Sequence, residues 1–304
     1  MNPEQPPTLH ARANGIDLAY DCFGDPAGQP LLLIMGLGTQ MIAWDEAFCA
    51  QLAERGCRVI RFDNRDIGRS TWFDDAGIPD VGKLLMQALA GGSVDAAGVR
   101  YTLADMADDA VGLLDALGIP SAHIVGASMG GAIAQEIALR HPARVRTLVP
   151  IMATSGAPGL PPPQPAAMQI LLTPTPTERS AYLARYRIVM KVLRAGDFPE
   201  EEALDDARGE RAFERGVNPA GVARQLAAII VSGSRRERLP GVSAPTLVIH
   251  GDADPLVPIE CGRDIARGVP GAAMVTVPGM GHALPRSAWP QIVDSIAAHA
   301  AGAD

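Results

Sequence analysis

Gly126-Ala127-Ser128-Met129-Gly130 is the stretch on which the reading of this chain turns. It follows the apolar run Ala122-His123-Ile124-Val125 and precedes a helical pattern over residues 129–140. A strand, a G-x-S-x-G turn and a helix in that order form a tight elbow that strains the serine backbone and presents its hydroxyl at the edge of a sheet. Side chains two positions to either side would collide with the neighbouring strand or helix, so glycine is the residue type required at 126 and 130. The pattern alone is weak evidence. A chain of 304 residues with 32 glycines and 11 serines contains one by accident about once in ten times. A base, an acid and an oxyanion site must therefore be found in compatible places.

To either side the chain alternates strands and helices. Residues 8–13 and 16–22 read as a hairpin joined at Asn14-Gly15, a dipeptide such turns prefer. Residues 31–35 are continuously apolar, as expected of a parallel strand buried on both faces, and end at Gly36-Leu37-Gly38. A helix over residues 44–55, closed by Gly56, leads to a strand at 58–62 and the charged loop at 63–70. Residues 71–100 read as irregular and as one edge of the cleft. A helix follows at 102–117 with Thr102 as its N-cap, and a strand at 145–152. The pattern resumes with strands at 245–250 and 273–277 and helices at 259–268 and 289–301. Eight strands interleaved with helices predict an α/β fold: a mainly parallel, doubly wound sheet with its ligand site at the carboxyl ends of the strands. Between them lies a proline-rich, then arginine-rich stretch with helices at 177–193 and 218–232 and no strand. The expected organisation is a core of residues 1–155 and 240–304 interrupted by a helical cap at 156–239.

Composition narrows the function. The chain is 47% hydrophobic and 20% charged with a net charge of −8, which suits a protein with a large buried core and argues against nucleic acid as a partner. No window is long and apolar enough to span a membrane, and residues 1–7 are polar rather than leader-like. Cys22, Cys49, Cys57 and Cys261 form no C-x-x-C pair and read as free thiols of a reducing, cytoplasmic setting. The expected state is a monomer or homodimer. Neither a metal cluster nor a phosphate-binding loop is present, so no metal and no cofactor is expected.

A serine hydroxyl is a poor nucleophile at neutral pH and needs a base, which in turn needs an orienting acid. Of six histidines, His282 lies in the glycine-rich loop after the last strand, from which an imidazole reaches across the carboxyl edge of the sheet. The loop after the preceding strand offers Asp252 and Asp254. Asp254, immediately before Pro255, is the choice; Asp252 is the alternative, with hydrogen bonding of its own turn as its other role. The order Ser128, Asp254, His282 is that of hydrolases built on this elbow. The oxyanion formed on attack needs preorganised donors. Met129 N–H at the start of the helix is one, and Leu37 N–H between two glycines is the other, with Gly38 N–H as the alternative. Gly36 and Gly38 are expected to border the substrate, as are Met168 and Leu172 of the cap, alongside Ile170 and Leu171. Asp63 and Arg65 are expected to tie their own loop together, and the cap arginines (Arg185, Arg187, Arg194, Arg208, Arg211, Arg215) to form a solvated helix face.

These motifs, together with Ile34-Met35-Gly36, the loop at 63–70 and Gly279-Met280-Gly281-His282-Ala283-Leu284-Pro285, resemble the α/β-hydrolase fold superfamily, and within it the aclacinomycin methylesterase-like esterases. The resemblance covers about 1–155 and 240–304. It implies hydrolysis of carboxylic esters by a serine triad without a cofactor, and the subgroup's name implies an aromatic polyketide methyl ester as substrate. Met35 departs from the pattern, since many relatives carry His before the oxyanion glycine; that histidine is not part of the triad. The expected function is a carboxylesterase acting on a small-molecule ester through an acyl-enzyme. The alternatives are lactone, carbon–carbon bond or peracid chemistry at the same triad, or a hydrolase-fold protein that binds a ligand without turnover.

Overall fold

In the computed structural model the apolar run after residue 29 becomes a central strand, β3 (Gln29–Ile34). Its side chains alternate: Leu32 and Ile34 enter one apolar layer, Leu31 and Leu33 the other. A strand covered on both faces has no polar side, which is why it reads as unbroken hydrophobic sequence. The structure describes residues 6–91, 94–196, 198–199 and 201–303. Of the polar opening stretch, residues 1–5 lie outside these, as do residues 92 and 93 of the segment expected to be irregular.

The other strands are β1 (Leu9–Ala13), β2 (Ile16–Phe23), β4 (Cys57–Phe62), β5 (Ala122–Ala127), β6 (Val145–Ile151), β7 (Leu247–Gly251) and β8 (Ala273–Val277). They form the expected single sheet of eight in the order β1-β2-β4-β3-β5-β6-β7-β8. β1 and β2 pair antiparallel, as do β2 and β4; every pairing from β4 onward is parallel. One layer is packed by α3 (Leu103–Ala116), α4 (Met129–Arg140) and α9 (Ile259–Gly268); the other by α1 (Glu46–Ala53) and α10 (Trp289–Ala301). α3 begins with a reciprocal cap: the Thr102 hydroxyl accepts from the Asp105 N–H, and the Asp105 carboxylate accepts from the Thr102 N–H.

The segment after the charged loop differs from its expected irregularity. It contains α2 (Val81–Leu89), started by Asp80, whose carboxylate accepts from the Lys83 N–H. α2 buries only Leu84; its apolar positions Val81, Leu84, Leu85 and Ala88 do recur at helical spacing, but the glycines on either side break the pattern into short pieces.

Among the described residues, four α-helices lie between β6 and β7: α5 (Pro165–Leu172), α6 (Arg179–Arg194), α7 (Glu202–Arg215) and α8 (Pro219–Ser232). α5, α6 and α7 pack in succession, whereas α8 lies on α2 and α3 and sends Ala228 into the main core. The arginines of this segment are not a solvated face. Of the six named from the sequence, Arg187, paired with Asp206, is the one that is mostly exposed. Arg194 pairs with Asp205 at 2.7 Å, Arg208 with Asp45 at 3.4 Å, Arg211 with Glu46 at 2.7 Å, and Arg215 with Asp63. The physical reason is desolvation: Asp45, Glu46 and Asp63 are buried where these helices cover the sheet, and a buried carboxylate needs a counter-charge.

Candidate active site

At the end of β5 the backbone of Ser128 takes φ 56° and ψ −119°, a left-handed conformation that a side-chain-bearing residue holds only where the surroundings impose it. Here they do. Ser128 N–H donates to the Ile151 carbonyl at 2.9 Å, and α4 starts at the next residue. A Cβ on Gly126 would run into the Gly130 carbonyl, and one on Gly130 into the Ile34 carbonyl. The elbow is therefore wedged between two strands and a helix.

Two loops at the same sheet edge meet this serine. His282, after β8, places Nε2 3.0 Å from Ser128 Oγ and donates from Nδ1 to Asp254 Oδ2 at 2.7 Å. Asp254, after β7, also accepts the N–H groups of Leu256 (2.9 Å) and Val257 (2.8 Å) on Oδ1. The carboxylate is thus fixed by its own turn and fixes in turn the tautomer whose Nε2 faces the serine. Among the described residues, Asp252, the alternative acid, makes no hydrogen bond to the imidazole. It accepts the Gly279 N–H at 2.7 Å and holds the loop that carries His282. The backbone N–H of His282 donates to the Leu193 carbonyl at the end of α6, 2.6 Å away. His250 in β7 lies behind Asp254, with its Nε2 3.7 Å from Oδ2. Burial lowers its pKa, so it remains neutral and donates from Nε2 to the Val257 carbonyl at 2.8 Å.

The loop after β3 closes over the elbow: a Cβ on Gly36 would stand 3.1 Å from Ser128 Cβ. Neither Leu37 N–H nor Met129 N–H has an acceptor among the described residues. Gly38 N–H, by contrast, is engaged, donating to Gln225 Oε1 at 2.9 Å. The charged turn at 63–70 does more than tie itself together. Asn64 Nδ2 donates to the Met35 carbonyl at 2.9 Å, and Asp63 accepts the Met41 N–H at 2.7 Å, so this turn brackets the loop after β3. Arg65 is turned away and pairs with Asp109.

Above the serine lies a cavity of about 290 Å³ bordered by Ser128, His282, Gly36, Leu37 and Gly38, with a mostly apolar wall from α5 and α6. Of the four α5 residues named from the sequence, Ile170 and Leu171 line it; Met168 and Leu172 do not, and Leu172 is exposed. Ala167 completes the α5 contribution, and α6 contributes Tyr182, Tyr186, Val189, Met190 and Leu193 with the arginines Arg185 and Arg194. No described residue between 71 and 100 lines the cavity, a second departure from the expected role of that segment. Among the described residues no group of three or more His, Cys, Asp and Glu side chains is placed to hold a metal ion, and no helix is long and apolar enough to cross a membrane.

Sequence reasoning missed Gln225, Asn64 and the two tyrosines. An amide or tyrosine, whether in a helix or in a loop, gives no local sign of the distant backbone or cavity it faces.

A family model described as alpha/beta hydrolase fold matches residues 29–285. Rhodomycin D methylesterase DauP of Streptomyces sp. strain C5 is 31% identical, with 96% of this chain and 98% of that protein covered. Rhodomycin D methylesterase DnrP of Streptomyces peucetius is 29% identical over the same shares. Among solved structures, a hydrolase from Pseudomonas aeruginosa superposes with a TM-score of 0.69 at 26% identity, covering 99% of this chain and all of that one. The sheet order, the strained serine at the end of β5 and a match spanning nearly the whole chain agree: this chain is a member of the alpha/beta hydrolase fold family.

Proposed function

We propose that the protein is a serine carboxylic ester hydrolase that works through an acyl-enzyme. The observation that carries this reading is the unbroken hydrogen-bonded line from Ser128 Oγ through His282 to Asp254, set beneath two N–H groups without acceptors among the described residues. In this reading His282 Nε2 takes the Ser128 proton as Oγ attacks the ester carbonyl. Leu37 and Met129 N–H groups receive the negative charge that develops on the carbonyl oxygen; loss of one such donor typically costs about 10²–10³ in rate. The imidazolium then protonates the departing alcohol, and water repeats the sequence on the acyl-serine. Asp254 holds the imidazole in the required tautomer and stabilises its charged form.

The helices at 156–239 act as the cap that selects the substrate. The relatives' names support a methyl ester. A cavity of about 290 Å³ lies at the small end of ligand sites, roughly 300–1,000 Å³, and its apolar wall favours an ester with one compact apolar part. The test is turnover of p-nitrophenyl esters of graded chain length and of methyl esters, with lactones and carbon–carbon substrates as comparators. Turnover of esters by the wild type and its loss in Ser128→Ala support the reading. Full ester turnover in Ser128→Ala contradicts it.

A further inference from the structure

The loop after β3 has two candidate donors for the oxyanion, and a side chain 187 residues away separates them. Gln225, on α8, is fully buried. Its Oε1 accepts from Gly38 N–H at 2.9 Å, and its Nε2 donates to the Arg65 carbonyl at 2.7 Å. One amide therefore connects the oxyanion loop to the charged turn at 63–70. An amide is the side chain that does this without a net charge, since one end accepts while the other donates.

The surroundings hold that amide in place from both sides. One residue earlier on α8, Arg224 pairs with both carboxylate oxygens of Asp66 at 2.7 and 2.8 Å. At the start of the helix, Asn218 donates to the Asp66 carbonyl at 3.1 Å. Gly38 itself has φ +64°, and Val222, a turn before Gln225, packs where its side chain would be, 3.1 Å from a Cβ built there. The loop is thus fixed in a left-handed turn by one hydrogen bond and one apolar contact from the same helix.

We infer that Gln225 is a positioning residue for the oxyanion site: by engaging Gly38 N–H it fixes the loop so that Leu37 N–H is the donor left facing Ser128. The inference rests on the esterase reading above and adds to it that α8 sets the geometry of the transition-state site as well as covering the substrate. Without Gln225 the Gly38 amide loses its acceptor and the loop loses the tether at that residue, and the second oxyanion donor drifts. A donor that acts on the tetrahedral oxygen contributes to the transition state more than to the ground-state ester, so kcat falls while KM holds.

The experiment compares Gln225→Met, of similar volume but without either hydrogen bond, with Gln225→Glu, which retains an acceptor for Gly38. Each is measured for kcat and KM on the best p-nitrophenyl ester and for inhibition by an aryl trifluoromethyl ketone, whose adduct with serine carries the oxyanion. The expected result for Gln225→Met is a kcat lower by about tenfold to hundredfold, KM within about threefold, and ketone affinity reduced in parallel with kcat. Gln225→Glu is expected to recover most of both. If Gln225→Met keeps kcat and ketone affinity within twofold of wild type and only melts at a lower temperature, the residue is merely structural and the inference is overturned. It is overturned equally if Gln225→Met does not fold and Gln225→Glu folds but loses ketone affinity by about hundredfold or more despite keeping the acceptor. Labelling of Ser128 by a fluorophosphonate in every folded variant keeps this outcome apart from failure of the esterase reading, which Ser128→Ala tests alone.

Discussion

Asp252 and Gly279 are joined across two loops: the Asp252 carboxylate accepts the Gly279 N–H at 2.7 Å, three residues before His282. The two acids that stand two residues apart in sequence thus do separate things. Asp254 sets the imidazole, and Asp252 sets the loop on which the imidazole rides. Asp254→Asn should reduce kcat by about 10⁴, since it inverts the favoured tautomer. Asp252→Asn should cost at most about tenfold, as one hydrogen bond to a backbone amide is weakened. Equal losses in steady-state kcat would remove this distinction.

Glu46 gives the fold an acid-sensitive joint between α1 and α7. Burial alone would raise its pKa, but hydrogen bonds from Arg211 and Arg61 outweigh that and hold it down to about 2 from an ordinary 4.5. A carboxylate depressed in the folded state stabilises fully above its unfolded pKa and loses that contribution as pH falls through the folded value. Glu46→Gln should therefore be less stable than wild type above pH 4.5, by about 2 kcal/mol after allowance for solvent screening. The gap should close as pH falls towards 2. Urea unfolding of both proteins across this range tests it; a pH-independent gap would show that the effect is one of packing.

Two glycines within helices should respond to alanine with opposite sign. At Gly82 in α2 the nearest atom to an added Cβ is Asp80 Oδ1 at 3.4 Å, so Gly82→Ala should gain up to about 1 kcal/mol from helix propensity. At Gly130 the same change drives a methyl group into the Ile34 carbonyl and should cost at least about 3 kcal/mol, with loss of activity. Chemical denaturation of the pair reads both signs.

Cavity shape predicts where substrate choice is set on α5. Leu171 lines the cavity and Leu172 is exposed. Leu171→Trp should shift the preference on a graded series of p-nitrophenyl esters towards shorter acyl chains, and Leu172→Trp should leave it unchanged. A shift from Leu172→Trp alone would place the wall elsewhere.

Much of the sheet was legible because parallel strands buried on both faces leave a continuous apolar trace, as in residues 31–35 and 247–249. The elbow was legible because its two glycines are forced by carbonyls one atom layer away. The rest was hidden for physical reasons. α7 turns Asp205, Gly209, Ala212 and Arg215 inward, so its buried face is largely polar and has no apolar stripe to read. The arginines of that segment look solvated in sequence because their partners, Asp45, Glu46 and Asp63, lie more than a hundred residues away. Gln225 is hidden in the same way, with its meaning residing entirely in Gly38 and Arg65. The sequence alone also left Leu37 and Gly38 both open as oxyanion donors; the engaged Gly38 amide favours Leu37.

Whether Ser128 carries the acyl group is decided by rapid quenching of the wild type during turnover of p-nitrophenyl butyrate, followed by peptide mass mapping. The expected result is a butyryl adduct on the peptide containing Ser128, formed with a burst of p-nitrophenolate stoichiometric with enzyme and absent from Ser128→Ala. An adduct on another residue, or turnover in Ser128→Ala equal to wild type, would contradict it.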